Sequence, residues 1–248
     1  MGQTIGSAVL ESVCPTRCLA CGRLGVRTGE QLCNNCMSAV RTRTAKAYCG
    51  RCGHSAPPFG LREGGCGKCV GKRLPYGRVI RIAPYEGAFA SLLRLFKFGG
   101  REELLSFFAV ELAGRIAQSD LYEEIEAFVP VPTCWRHRLL RRFHPAEVIA
   151  QNVAQRLQIP LAPVLERKGG RHQVGLPVTA RIENVRGQFR IASGCSVDGA
   201  KLCLLDDVTT SGATAAECSR VLKRGGAKVI CLAVLAKAGD DARTLTQV

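Results

Sequence analysis

Two sets of residues in this 248-residue chain have the types and spacing to do chemistry. The first is four Cys-x-x-Cys pairs: Cys18/Cys21, Cys33/Cys36, Cys49/Cys52 and Cys66/Cys69. A two-residue spacer lets both sulfurs of a pair reach one ion at about 2.3 Å, and two pairs close a tetrahedral four-cysteine site. Eleven residues separate the first pair from the second, and 13 separate the third from the fourth. Gly22 and Gly53 directly follow the second cysteine of their pairs, where a positive φ lets backbone amides turn towards the sulfurs. The reading is two structural zinc ions in closed shells that leave no position for a substrate. Spacing leaves open which pairs share an ion. They join sequentially (18/21 with 33/36, 49/52 with 66/69) or in a crossed arrangement. Cys14 and His54 could each substitute as a ligand; the plainer reading is a spare cysteine and a solvated histidine. The segment has few large apolar residues and many Gly, Arg and Pro, so ion binding has to replace a core.

The second set lies in KLCLLDDVTTSGAT, residues 201–214. A continuous apolar strand ends in Asp206 and Asp207, and a short turn of Thr209, Thr210, Ser211, Gly212, Ala213 and Thr214 opens a helix. Open α/β sheets bind ligands at the carboxyl ends of their strands. A loop whose amides and hydroxyls face a helix N-terminus is a seat for an anion. Neither Gly-x-Gly-x-x-Gly nor Gly-x-x-x-x-Gly-Lys-Ser/Thr is present, which argues against a dinucleotide or a P-loop triphosphate. Acids for vicinal hydroxyls beside a cradle for one phosphate suit a sugar phosphate.

These residues need elements to position them. Beyond Pro75, strands expected at 78–85, 127–131, near 162–166, 188–191, 201–207 and 227–236 alternate with helices at 88–98, 101–118, 145–158 and 213–224. That alternation implies a parallel sheet with right-handed crossovers. The expected organisation is therefore a cysteine module over residues 1–75 and an α/β domain over 76–248. Cys203, Cys218 and Cys231 fall in apolar elements and read as buried thiols.

Bulk properties narrow the setting. Apolar residues make up 46% of the chain, enough for a sizeable core. No run approaches the ~18 apolar residues a membrane span needs. The start, MGQTIGSAVLESV, has neither a basic n-region nor an apolar h-region, so the chain is expected in the cytosol without a signal peptide. The net charge of +15 is concentrated in residues 1–75 and 131–190, each with 11 Lys/Arg against 3 acids. Eight thiolates and two zinc ions would halve the first surplus. The second includes Arg136, Arg138, Arg141, Arg142, Arg167, Lys168, Arg171, Arg181, Arg186 and Arg190, and it points to anionic partners.

LCLLDDVTTSGAT resembles the signature with which type I phosphoribosyltransferases bind 5-phosphoribosyl 1-pyrophosphate (PRPP). The resemblance implies that Asp206 and Asp207 hold the ribose hydroxyls and that Thr210 to Thr214 hold the 5′-phosphate. It also implies that Val129-Pro130-Val131-Pro132 belongs to a loop gripping pyrophosphate and Mg²⁺. The whole chain is similar to the ComF (competence protein F) family. The match runs from the four cysteine pairs through Tyr85-x-Gly87, Leu95-x-Lys97-Phe98-x-Gly100, Pro130-Val131-Pro132, Arg141-x-Phe143 with Ala146, Arg167 with Gln173, Arg181-x-x-Asn184 and Phe189. It departs at Arg141-Arg142-Phe143-His144-Pro145, where the family has Arg-Gly-Phe-Asn-Gln, and at Ser211, where Thr is more common.

The fold implied is a phosphoribosyltransferase-like parallel sheet flanked by helices, preceded by a double zinc ribbon. The function implied is DNA uptake in natural transformation, with PRPP in the pocket and contacts to single-stranded DNA and to uptake-machinery proteins. The alternatives are an active Mg²⁺-dependent phosphoribosyltransferase, with the polar loop 166–188 as a lid, or a zinc-ribbon adaptor whose second domain is inactive.

Overall fold

The structure, a computed structural model, describes residues 17–24, 26, 30–62, 64–132, 144–168 and 185–239. Its centre is a parallel sheet built from β3 (Arg78–Pro84), β4 (Ala127–Pro130), β7 (Lys201–Thr209) and β8 (Val229–Lys237), in the order β3-β8-β7-β4. Strict alternation along the central strands explains why both read as unbroken apolar runs. Cys203, Leu205, Cys231, Ala233 and Leu235 face one cluster, and Leu202, Leu204, Ile230, Leu232 and Val234 face the other. A parallel sheet covered on both sides has no polar face to show.

One face is covered by α2 (Gly87–Phe98), α3 (Leu104–Ala117) and α4 (Pro145–Leu157), and the other by α5 (Ala213–Arg224). Helix α2 buries Phe89, Leu92, Leu93 and Phe96, the spacing of one helical face. Helix α3 answers with Leu104, Phe108, Leu112 and Ile116. Phe108 meets Phe89 edge-on at 5.6 Å between ring centroids, a geometry that adds about 1 kcal/mol to the area buried. Pro145 stands in the first turn of α4, where its missing N–H costs nothing. A separate antiparallel pair, β5 (Leu165–Arg167) with β6 (Phe189–Ile191), forms the stem of the expected lid. Residues 169–184 of that loop lie outside the described residues, as do Arg171, Gln173, Arg181 and Asn184.

The N-terminal region adds the short hairpin of β1 (Leu61–Arg62) and β2 (Gly65–Cys66) and one helix that the sequence pattern does not announce, α1 (Asn34–Thr44). This region shares its packing with the sheet domain. Cys18, Val26, Leu32 and Val40 belong to the same buried cluster as α2 and α3. Gln31 Nε2 donates to the Glu103 carbonyl at 2.6 Å, and an Arg115 guanidinium nitrogen donates to the Thr44 carbonyl at 2.6 Å. Arg43 and Lys46 both pair with Glu86 at 3.0 Å.

The loop after α1 lies along the outer edge of β3. The Val79 N–H donates to the Gly50 carbonyl at 2.6 Å, and the Arg81 N–H meets the Tyr48 hydroxyl at 3.5 Å. Arg81, fully buried, stacks over the Tyr48 ring at 4.9 Å and donates to Ser55 Oγ at 2.7 Å. On the opposite edge, Phe128 of β4 takes the Pro160 carbonyl and the Ala162 N–H, each at 2.8 Å. No helix among the described residues is long and apolar enough to cross a membrane.

Candidate functional site

The eight cysteines fall into two clusters, Cys18/Cys21/Cys33/Cys36 and Cys49/Cys52/Cys66/Cys69, the sulfurs of each within 4.8 Å of one another. The pairs therefore join sequentially, not crossed. Around a zinc ion with bonds of about 2.3 Å, tetrahedral sulfurs stand about 3.8 Å apart. The sulfurs of Cys21 and Cys33 are 3.8 Å apart, Cys49 and Cys69 3.7 Å, Cys52 and Cys66 3.6 Å, and Cys66 and Cys69 3.9 Å. Donor type, number and spacing fit two structural zinc ions. Gly22 and Gly53 have φ of +73° and +77°, as the turns after their cysteines require.

The electrostatics of the thiols also call for a cation. Burial raises Cys18, but the amides of Cys33, Cys21 and Ala20 outweigh it and the thiol falls to about 6. Cys49 falls to about 7 against the same burial, through the amides of Arg51, Cys52 and Cys66. Cys36 and Cys52 are pushed up, by burial first and by the sulfurs beside them. The backbone can thus settle one thiolate readily in each cluster; a dication offsets the repulsion among the rest. His54 is a correction to the sequence reading. It is half-buried, with Nδ1 3.5 Å from Cys52 Sγ, so it neighbours a ligand and is not a solvated side chain. Cys14 lies outside the described residues.

The second set is brought together at the carboxyl end of β7. Asp206 and Asp207 close the strand, Thr209 is buried, and Thr210, Ser211 and Gly212 make the turn into α5, with Ala213 and Thr214 in its first turn. Gly212 caps the helix at φ +78°, accepts from the Ala216 N–H at 2.8 Å, and would place a Cβ 2.8 Å from the Tyr76 hydroxyl. Only glycine fits that position without displacing the loop. Ser211 Oγ accepts from the Ala213 N–H at 3.3 Å.

The two acids differ in environment. Asp207 pairs with Lys97 Nζ at 2.7 Å, both side chains largely buried. Burial, then the charge of Asp207, holds the Asp206 carboxyl well above the usual carboxylate range; its bond from the Asp207 N–H at 2.8 Å and the Lys97 charge offset only part of this. A carboxyl that resists ionising beside one that is paired can offer both a donor and acceptors to vicinal hydroxyls.

Three residues of this site carry no role in the sequence reading. Lys97 stands in the segment Leu95-x-Lys97-Phe98 and reaches Asp207 from the last turn of α2. Lys237 ends β8, is buried, and donates through Nζ to the Thr210 carbonyl. The signal that flagged Asp206 and Asp207, a charge at the end of an apolar strand, also marks Lys237 in AVLAK. Tyr76 gives no such signal. It is buried against Gly212, and burial together with the charges of Cys52 and Cys69 raises its hydroxyl to about 12. Val129 and Pro130 end β4, and the Val131 N–H donates to the Leu205 carbonyl at 2.9 Å. Residues 133–143, with Arg136, Arg138, Arg141 and Arg142, lie outside the described residues.

Comparison with known proteins adds an independent line. Residues 9–70 match the double zinc ribbon domain family. The chain is 29% identical over 225 residues to the DNA utilization protein YhgH of Escherichia coli K12, covering 87% of this chain and 94% of that protein. It is 28% identical over 232 residues to competence protein F of Haemophilus influenzae, covering 90% and 97%. Similar solved structures include a purine phosphoribosyltransferase from Pyrococcus horikoshii (16% identity, 58% of this chain and 80% of that one, TM-score 0.36). An adenine phosphoribosyltransferase from Leishmania donovani aligns at 13% identity over 71% of this chain and 92% of that one, TM-score 0.40.

Proposed function

This chain belongs to the competence protein F (ComF) family, and on that premise we propose that it binds PRPP, or a related sugar phosphate, and handles single-stranded DNA in the cytosol during DNA uptake. The observation that supports the pocket is the end of β7, where two acids of unlike environment run directly into a loop that opens α5. Asp206 and Asp207 receive the ribose hydroxyls. Thr210 to Thr214 receive the 5′-phosphate on amides and hydroxyls at the positive end of the α5 dipole. Mg²⁺, arriving with PRPP, neutralises its pyrophosphate. Titrating the full-length protein with PRPP and Mg²⁺ tests this reading. At ~100 Kd the ligand is expected to stabilise the fold by about 2.7 kcal/mol, read as a raised melting temperature. No shift at millimolar PRPP would falsify the pocket assignment.

A cationic groove supports the nucleic-acid part. Arg186, Arg220, Lys223 and Arg224 line a 710 Å³ cleft between residues 186–187 and α5, with Glu217 the one acid among the described lining residues. Glu217, buried, accepts from the Gly187 N–H at 2.9 Å and pairs with Arg220, so it shapes the cleft while cancelling one charge. Arg220 also lines a second cavity with Lys72 and Arg73 of the ribbon region. Single-stranded DNA is expected to bind with little sequence preference, since phosphate contacts carry no base information. Its affinity should fall with salt by about 0.7 per phosphate contacted. Replacing Arg220, Lys223 and Arg224 with Gln should flatten that slope by about 2; replacing Arg136, Arg138, Arg141 and Arg142 with Ala measures the share of 133–143. A slope that neither variant changes removes DNA from this surface.

A further inference from the structure

The second cysteine cluster and the phosphate loop meet across residues that belong to neither. The knuckle of Cys49 and Cys52 is held by two backbone bonds, Gly53 N–H to the Cys49 carbonyl at 2.8 Å and Cys49 N–H to the His54 carbonyl at 2.9 Å. Its Gly53 lies so close to β3 and β8 that a Cβ there would sit 3.0 Å from Val79 Cγ1 and 3.6 Å from Lys237 Cδ. From this packed stem, Lys237 carries its ammonium to the Thr210 carbonyl, the first loop residue after β7. The neighbouring Ala238 N–H donates to the Thr209 carbonyl at 2.8 Å. On the other side, Tyr76 follows the ribbon directly and packs its hydroxyl under Gly212. The space left between the two parts is a 480 Å³ cavity, walled by His54, Lys72, Arg73 and Leu74 on one side and Thr210 to Ala213 on the other.

The two clusters are not equivalent in this respect. The cysteines of the second are all buried, and Cys52 and Cys69 lie close enough to Tyr76 to act on its hydroxyl, whereas the first has Cys21 exposed and packs against α2 and α3. Metal at the second cluster fixes the knuckle, the knuckle fixes the lysine stem, and the lysine fixes the carbonyl on which the loop turns. We propose that Lys237 and Tyr76 are positioning residues that couple the second cysteine site to the phosphate loop, so that metal there and a sugar phosphate in the loop each tighten the binding of the other. This rests on the sugar-phosphate reading of the loop. Coupling between two sites is reciprocal for binding free energies, so the device can be read from either end.

The test is zinc release from the full-length protein to a chromogenic chelator, with and without ribose 5-phosphate, which needs no Mg²⁺. One of the two zinc ions is expected to leave several-fold more slowly with the sugar phosphate present, and the other at an unchanged rate. The Cys21→Ser variant, stripped of the first-site ion, should still show the protected one. Lys237→Met should keep both ions yet lose the protection and bind ribose 5-phosphate about tenfold more weakly; Tyr76→Phe, which removes only the hydroxyl, should reduce both effects. A purely structural lysine would leave the protection intact. Calorimetry on the same samples separates the failures. Ribose 5-phosphate that binds but protects neither ion, or both equally, overturns the coupling alone. Failure to bind overturns the sugar-phosphate reading and the coupling with it.

Discussion

Cys52→Ser is expected to lower the zinc content from two ions per chain to one and to unfold residues 49–69. Among the described residues, the four buried cysteines of that cluster have only Ala56 and Leu74 as packed apolar neighbours, so little apolar contact remains to hold the ribbon without metal. Structural zinc in small modules contributes roughly 10–16 kcal/mol at neutral pH, on the scale of the 5–15 kcal/mol stability of a whole domain. Arg51, which donates to the Gly64 and Lys72 carbonyls, staples the ribbon only while the metal holds its ends in place. Cys18→Ser should instead cost the ion of the first cluster and reach further, because Cys18 lies in the main buried cluster with α2 and α3. Elemental analysis of protein purified without added metal reads both variants. A wild type with no zinc, or with disulfides in its place, overturns the assignment.

The second large effect concerns the acid pair. Asp206→Asn with Asp207→Asn is expected to abolish the PRPP-dependent melting shift while the apo protein still folds. Asp206→Asn alone should behave unusually: its apo form should melt above the wild type at pH 7.5. The folded-state carboxyl of Asp206 is raised by burial and by Asp207, so the folded protein holds this proton more tightly than the unfolded chain does. Its favourable contribution is complete below the unfolded value of about 3.9 and is lost as pH rises through the folded one. Asn removes that loss. The gain over wild type should therefore grow from pH 4 upward, and a constant offset across pH would contradict it. A cost in stability at a ligand site is what function tends to impose. Asp207→Asn should not share the gain, since it strands Lys97, a largely buried cation.

What could be read in advance follows from where the signal sits. Helix 145–158 was marked by Pro145 and by Ile149 and Val153 on one face, and the observed Pro145–Leu157 differs by one residue. The strand at 201–207 extends through Thr209, because ladder pairing with β8 carries two residues past the apolar run. Helix α1 was not legible. Its sequence NNCMSAVRTRT buries only Val40, so its helicity comes from the cysteine cluster at its start and from contact with α2, which no periodicity records. Arg81 was hidden for the opposite reason: in RVIRIAPY it looks like an outward-facing charge, yet it is buried beneath Tyr48 and Ser55. The acids and loop were visible as a run of adjacent residues. Lys97 from α2, Lys237 from β8 and Tyr76 from the bend before β3 reach the same place, and only the fold brings them there.

The arrangement along β3 has a consequence for what happens when the metal is lost. β3 and β4 are the outer strands of the main sheet, and an outer strand with free N–H and C=O groups is a template for pairing with another chain. β4 is screened by residues 160–162 of the same domain, a covering that needs no metal. β3 is screened by Gly50 and Tyr48, which lie within and beside the knuckle of Cys49 and Cys52. Val79, Ile80, Ile82 and Ala83 make most of β3 apolar, and among the described residues its edge is covered from the loop that holds Cys49 and Cys52. Chelation should therefore uncover this edge and promote aggregation before the sheet itself melts. The ribbon then acts as an aggregation guard whose latch is a metal ion.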